Sequence, residues 1–246
     1  MIEYLSNKCT RNLRVQGKRS VMIEILHKTK NTIVIYKPPG IPSQSDPSGD
    51  ADAMTLTSEA LRAAGEGSEL WLIHRIDRVV GGLLVFARNK RTAAALSELV
   101  KERMLTKEYY AVLDGEAEGG SLENFLFRDA RLGKAFIVDR ERAGVKRASL
   151  SYRRLARKET EKGVKTLVYV TLDTGRFHQI RAQTSHTGTP ITGDGKYGSR
   201  DKGVLGIALF AAHLELSLGG EHLNVSRLPD LSAYPWCLFR KEDYEV

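Results

Sequence analysis

Apolar and polar positions change period several times along the chain. Residues 22–26 and 32–36, MIEIL and TIVIY, alternate or run apolar with β-branched side chains and predict two strands. KPPGIPSQSDPSGD, 37–50, can continue neither strand and reads as a loop. MTLTSEALRAAG, 54–65, has helical spacing with Gly65 as its stop. GLLVFARN, 82–89, predicts a buried strand, and RTAAALSELVKERM, 91–104, a helix with apolar residues at 94, 96, 99 and 100. KEYYAVLDG, 107–115, is a strand closed by Asp-Gly, and 120–158 reads as short strands and turns. KTLVYVTLDTG, 165–175, predicts a long, largely buried strand that turns at Thr174 and Gly175 into a helix over 177–187, ended by Gly188. Further strands are expected at 207–211 and 213–218. Regular βαβ alternation is absent, which argues against a doubly wound parallel sheet. The pattern implies one mixed α/β domain of the α+β type over 1–246, rich in strands.

Hydrophobic residues make up 41% and charged residues 28%, a globular balance. No apolar run approaches the roughly 20 residues that span a bilayer, and MIEYLSNKCTRNLRVQG has no apolar core of a secretory signal. Cys9 and Cys237 alone cannot build a disulfide framework or a four-cysteine zinc site. A cytoplasmic location without membrane association is expected. Charge adds a partner class. The net charge is +8, and between Arg128 and Lys158 there are 11 Lys and Arg against Asp129, Asp139 and Glu141, so that segment carries the whole excess. Such a concentration suits a phosphate backbone, with Arg140, Arg142, Lys146 and Arg147 as candidate contacts. Residues 1–30 are also basic, with seven Lys and Arg against Glu3 and Glu24.

HRIDRVVGGLLVF, 74–86, sets His74, Arg75 and Asp77 at the lip of an apolar strand. Charged side chains are rarely buried without partners, so Asp77 is either part of a solvated turn or held at the floor of a cleft. In TGRFHQIRAQTSHTGTPITGDGKYG, 174–198, a helix from 177 would make His178 and Arg181 i, i+3 neighbours, with Arg181 near a helix start and Arg176 just before it. Other chemistries lack their signatures. There is no G-x-S-x-G elbow, TGDGKYG lacks P-loop spacing, and His178 and His186 are eight apart rather than the four of HExxH. No catalytic metal is expected. A carboxylate, an arginine and strand tyrosines remain, and a nearby guanidinium would keep the carboxylate ionised for a nucleophile's or base's part.

HRIDRVVGGLLVFA resembles the H-R-L-D-x-x-T-S-G-L-L-x-F-A motif of RluA-type RNA pseudouridine synthases. TGRFHQIRAQTSHTGTPITGDGKYG is similar to their T-G-R-x-H-Q-I-R…G-x-P-I-x-G-D-x-x-Y-G block, KEYYAVLDG to their K-x-Y-x-A-x-V-x-G strand, and IVIYKPPGIPSQ to their V-x-N-K-P-x-G-x-x-x-H opening. The matches run in order from Ile33 to Tyr197. The resemblance implies the pseudouridine synthase fold: a mixed, mostly antiparallel sheet in two curved halves with a central catalytic cleft. It implies isomerisation of uridine in structured RNA, tRNA or ribosomal RNA, with no cofactor or metal. Asp77 matches the aspartate that acts on the nucleoside, Tyr109 the active-site tyrosine, and Arg181 the arginine paired with the aspartate. Tyr109 is chosen because it lies two residues after Lys107, whereas Tyr110 would face the other side of the strand. His74, Arg75, Arg176 and His178 belong to the same blocks as substrate-binding candidates. Asp77 could attack the sugar, add to the base or abstract a sugar proton to give a glycal; the residues leave the route open, and the resemblance inclines towards the glycal. The chain departs from the motif at Val80 and Gly81, where Thr-Ser is usual, at Gln44 for histidine and at Tyr36 for asparagine. A single catalytic domain without a separate N-terminal S4 module, working as a monomer, is expected.

Overall fold

The computed structural model describes residues 23–246. The basic stretch 1–22, Met22 of the first expected strand, and the expectation about an N-terminal S4 module lie outside the described residues.

Strands β1 (Glu24–Lys28) and β2 (Thr32–Lys37) form a hairpin, and β2 pairs with β4 (Gly81–Ala87). β4 also takes the two-residue β3 (Trp71–Leu72). The remaining strands are β5 (Thr106–Asp114), β6 (Gly119–Asp129), β7 (Lys134–Val138), β8 (Val145–Thr160), β9 (Gly163–Leu172), β10 (Leu209–Leu218) and β11 (Glu221–Ser226). All join one sheet in the order β1-β2-β4-β10-β5-β9-β8-β6-β7, with β11 on β10. Neighbours run antiparallel except β4 and β10, which meet in parallel through Phe210 opposite Gly81 and Ala211 opposite Gly82. This short junction joins the two halves of the sheet. It explains the Gly81-Gly82 pair: Gly82 has φ +128°, and a Cβ there would stand 2.3 Å from the Ala211 carbonyl oxygen.

Helix α1 (Ala53–Ala63) is capped by Asp52, whose carboxylate accepts from the Thr55 amide at 2.9 Å, and ends before Gly65 at φ +74°. Helix α2 (Lys90–Lys101) is capped in the same way by Asn89 on Thr92. α1 covers Ile33, Ile35, Leu84 and Phe86; α2 covers Leu83 and Val85 on the opposite face. Both faces of β2 and β4 are therefore buried, which is why those strands read as apolar runs rather than alternating ones. None of the described helices is long and apolar enough to cross a membrane.

Three expectations need correction. Residues 120–158 hold one short strand, β7, but β6 has 11 residues and β8 has 16, the latter paired with β6 over 145–153 and with β9 over 150–160. β8 is a polar strand exposed on much of its surface, so it carries no apolar run to announce it. The strands expected at 207–211 and 213–218 form one strand, β10, whose register shifts between Ala211 and His213. The helix expected from 177 is α3 (Gln179–His186); Phe177 precedes it, and His178 is its N-cap in the left-handed conformation, φ 53°. Gln179 to Thr184 are all buried, so α3 is wedged into the fold and is not a surface helix.

Candidate active site

A cleft of about 1020 Å³ opens between the halves, lined by Pro42–Asp46 and Leu72–Arg78 on one side, Leu172–Arg181 and Arg128 on the other, with Tyr109 and Leu209 between them. Asp77 sits in it, brought there by the β3–β4 connection. Loop 37–45 braces this connection from below. The Ser43 hydroxyl donates to the Ile76 carbonyl at 2.8 Å and accepts from the Ile76 amide, and the Gly40 amide donates to the Arg78 carbonyl at 2.7 Å. Lys37, with no solvent exposure, donates to the carbonyls of Ile41 at 2.8 Å and Pro38 at 3.0 Å, with Arg78 at 3.4 Å. Burial lowers its pKa to about 7, against which the Asp77 charge works.

Arg181, in the first turn of α3, reaches Asp77. Its Nη1 donates to Asp77 Oδ2 at 3.0 Å, while Nε and Nη2 clasp both oxygens of Asp194 at 2.6 and 2.9 Å. Arg181 is 5% exposed and Asp194 1%, so that fork is nearly dry, whereas the Asp77 side chain keeps 24% of its surface open to the cleft. Burial opposes the charge on Arg181, but Asp194 and then Asp77 outweigh it and raise its pKa. The result is a carboxylate open to a visitor, held by a cation that is itself held by a second, hidden carboxylate.

Tyr109, on β5, is buried with its hydroxyl free of hydrogen bonds to the described residues. Burial and then the Asp77 charge raise its pKa, so the phenol holds its proton. Tyr110 faces away, donating to the Tyr244 carbonyl at 2.6 Å. His178 Nε2 lies 3.5 Å from Asp77 Oδ2, and its Nδ1 is 3.0 Å from the Tyr197 hydroxyl. Burial, with Arg181 next, lowers the His178 pKa to about 3, which makes it a neutral ring.

The other candidates divide. His74 fills the edge of β4 left open between β3 and β10: its Nε2 accepts from the Val85 amide at 3.3 Å, and burial lowers its pKa to about 3. That is a bracing position. Arg75 is exposed at the cleft, as is Arg176, whose Nε donates to the Arg147 carbonyl at 3.0 Å. Gln179 sets that turn by accepting from the Thr174 hydroxyl and the Arg176 amide. Arg140, Arg142, Lys146 and Arg147 lie outside the cleft lining, exposed on the β7–β8 connection and the start of β8, with Arg147 paired to Glu123 at 2.5 Å. Reasoning from sequence passed over Asp194, Lys37, Ser43 and Arg128. Asp194 lies in the quoted TGDGKYG turn, and the buried arginine's need for a partner was the available signal.

The family described as RNA pseudouridylate synthase matches residues 31–186. The chain is 30% identical over 210 residues to ribosomal large subunit pseudouridine synthase D of Borreliella burgdorferi, covering 81% of this chain and 63% of that protein. It is 31% identical over 186 residues to RNA pseudouridine synthase 7 of Oryza sativa subsp. japonica, covering 73% of this chain and 45% of the relative. The chain thus spans from under half to about three fifths of these relatives' length. Among solved structures it is similar to human RNA pseudouridylate synthase domain containing 4, with a TM-score of 0.69 and 27% identity over 85% of this chain and 89% of that one. Sheet order, cleft and sequence match together place the chain in the RNA pseudouridylate synthase family.

Proposed function

We propose that the protein isomerises uridine to pseudouridine in structured RNA, tRNA or ribosomal RNA, with Asp77 as the catalytic residue. The supporting observation is the Asp77–Arg181–Asp194 arrangement: a cleft-facing carboxyl group fixed at 3.0 Å by a guanidinium that is itself clasped by a buried partner. The reaction breaks the bond from uracil N1 to C1′, turns the base, joins C5 to C1′ and releases the C5 proton. Substrate and product are isomers, so no oxidant or group donor is consumed. The base must first leave its stack, and the cleft is large enough to receive it.

In this reading Asp77 acts on the sugar side, by attack at C1′ or by taking the C2′ proton to give a glycal, and Arg181 holds it in position for that step. The Tyr109 ring stacks against the displaced uracil. Its phenol stays protonated, so it donates a hydrogen bond to the base; it removes the C5 proton only if its own proton leaves in the same step. The basic β6–β8 face tracks the backbone outside the cleft. The chain is taken as one catalytic unit, a monomer in the cytoplasm. The test is a map of pseudouridines in total RNA from cells with and without the gene. Loss of one or more sites, restored by the wild-type gene, is expected; identical maps would contradict the proposal.

A further inference from the structure

One wall of the cleft carries a ladder of flat side chains that the proposed chemistry does not use. It starts at His178, 3.5 Å from the Asp77 carboxylate. The His178 ring stacks on Phe177, with centroids 3.8 Å apart and planes within 18°. Arg128 also lies over the Phe177 ring, its Cζ 4.5 Å from the ring centroid. Side chains adjacent in sequence do not ordinarily lie face to face. Here the left-handed backbone of His178, φ 53°, turns the two rings parallel, and the Tyr197 hydroxyl, 3.0 Å from Nδ1, holds that conformation.

Arg128 is exposed on the cleft lining, and among the described residues no carboxylate pairs with it. Its nearest tie is the ring beneath it. Phe177 therefore carries an exposed guanidinium at the cleft rim.

We infer that the exposed guanidinium of Arg128, seated over Phe177, is a stacking seat for the nucleobase adjoining the extruded uridine. The inference rests on the proposed function, since it needs an RNA whose target base has swung towards Asp77. Extrusion leaves the neighbouring base with an uncovered face, and a planar cation is a good surface for it. The contact with Phe177 restrains the guanidinium beforehand, so less freedom is lost on binding. A phosphate contact would ask only for positive charge and would gain nothing from an aromatic ring beneath the guanidinium.

The test uses an oligoribonucleotide of uridines with one central 2-aminopurine, whose fluorescence falls when the base stacks. Binding to wild-type protein is expected to quench it. Arg128→Lys keeps the charge and removes the plane: it should bind with the same salt dependence, about 5-fold more weakly, and without the quench. Phe177→Leu, which removes the platform, should lose the quench as well. Arg128→Lys quenching like wild type at saturation would overturn the inference in favour of phosphate binding, and so would a wild-type protein that binds without quenching. Tritium release from RNA labelled at uracil C5 is measured in parallel. Quenching with no release from labelled total RNA would defeat the isomerase reading and leave Arg128 as a stacking site for RNA bases in general, while release without quenching would defeat the seat alone.

Discussion

Asp194→Asn removes one charge from a buried fork and leaves its shape almost unchanged. Arg181 donates to Asp194 at 2.6 Å from Nε and 2.9 Å from Nη2, with Asp194 1% exposed. An asparagine can accept at one of these positions only; its amide then faces a guanidinium N–H, donor against donor. Removing one partner of a buried pair costs about 3–5 kcal/mol. Asp77 still accepts from Nη1 at 3.0 Å, which argues for the lower end. About 3 kcal/mol corresponds to a fall of roughly 6–12 °C in Tm for a chain of this size. The guanidinium, freed on one side, turns towards Asp77 and shifts its carboxylate, and a displacement near 1 Å is worth roughly 100-fold in rate. The assay pairs thermal unfolding with tritium release from RNA labelled at uracil C5, and the loss should fall on kcat with KM little changed. An Asn variant within 2 °C of wild-type Tm and about threefold of its turnover would refute the claim that Asp194 holds Arg181.

Three further outcomes are expected. Gly82→Ala puts a Cβ 2.3 Å from the Ala211 carbonyl oxygen at φ +128°, so it should break the β4–β10 junction and yield insoluble protein; a soluble variant with wild-type Tm would contradict the packing argument. Neutralising Arg140, Arg142, Lys146 and Arg147 together should weaken RNA binding and flatten the slope of log affinity against log salt, and an unchanged slope would remove the β7–β8 connection from the interface. His74 takes up its proton near pH 6.5 in the unfolded chain and near 3 when folded, so the stability it contributes is complete above 6.5 and drains as pH falls from 6.5 towards 3. His74→Phe should therefore make the urea midpoint less sensitive to pH across that window, and an equal slope would show that the ring titrates normally.

The elements that sequence periodicity disclosed are those whose stabilisation is local or whose faces are uniformly buried. Asp52 and Asn89 cap α1 and α2 from within three residues, and β2 and β4 are apolar because a helix covers each face. β8 stayed hidden because its partners, not its composition, make it a strand. α3 starts two residues later than its pattern suggested because the Tyr197 contact, 19 positions away, holds His178 in a left-handed turn. The site divides in the same way. Asp77 could be suspected from its place at the lip of an apolar run. That Arg181, 104 positions on, would meet it, and that Asp194 would hold Arg181, depends on tertiary closure around the β4–β10 junction. His74, read as a substrate contact, lies against the Val85 amide because β4 has a gap in its edge pairing, which only the sheet order discloses.

Asp77→Asn tests the central claim most directly, because it changes one oxygen to an amide at the cleft floor and leaves the Arg181–Asp194 fork in place. Tritium release and RNA affinity are measured on the same preparation. Release falling to background with affinity within about threefold of wild type is the expected result, since phosphate contacts made elsewhere dominate binding. Substantial release by the Asn variant would show that another group acts on the nucleoside.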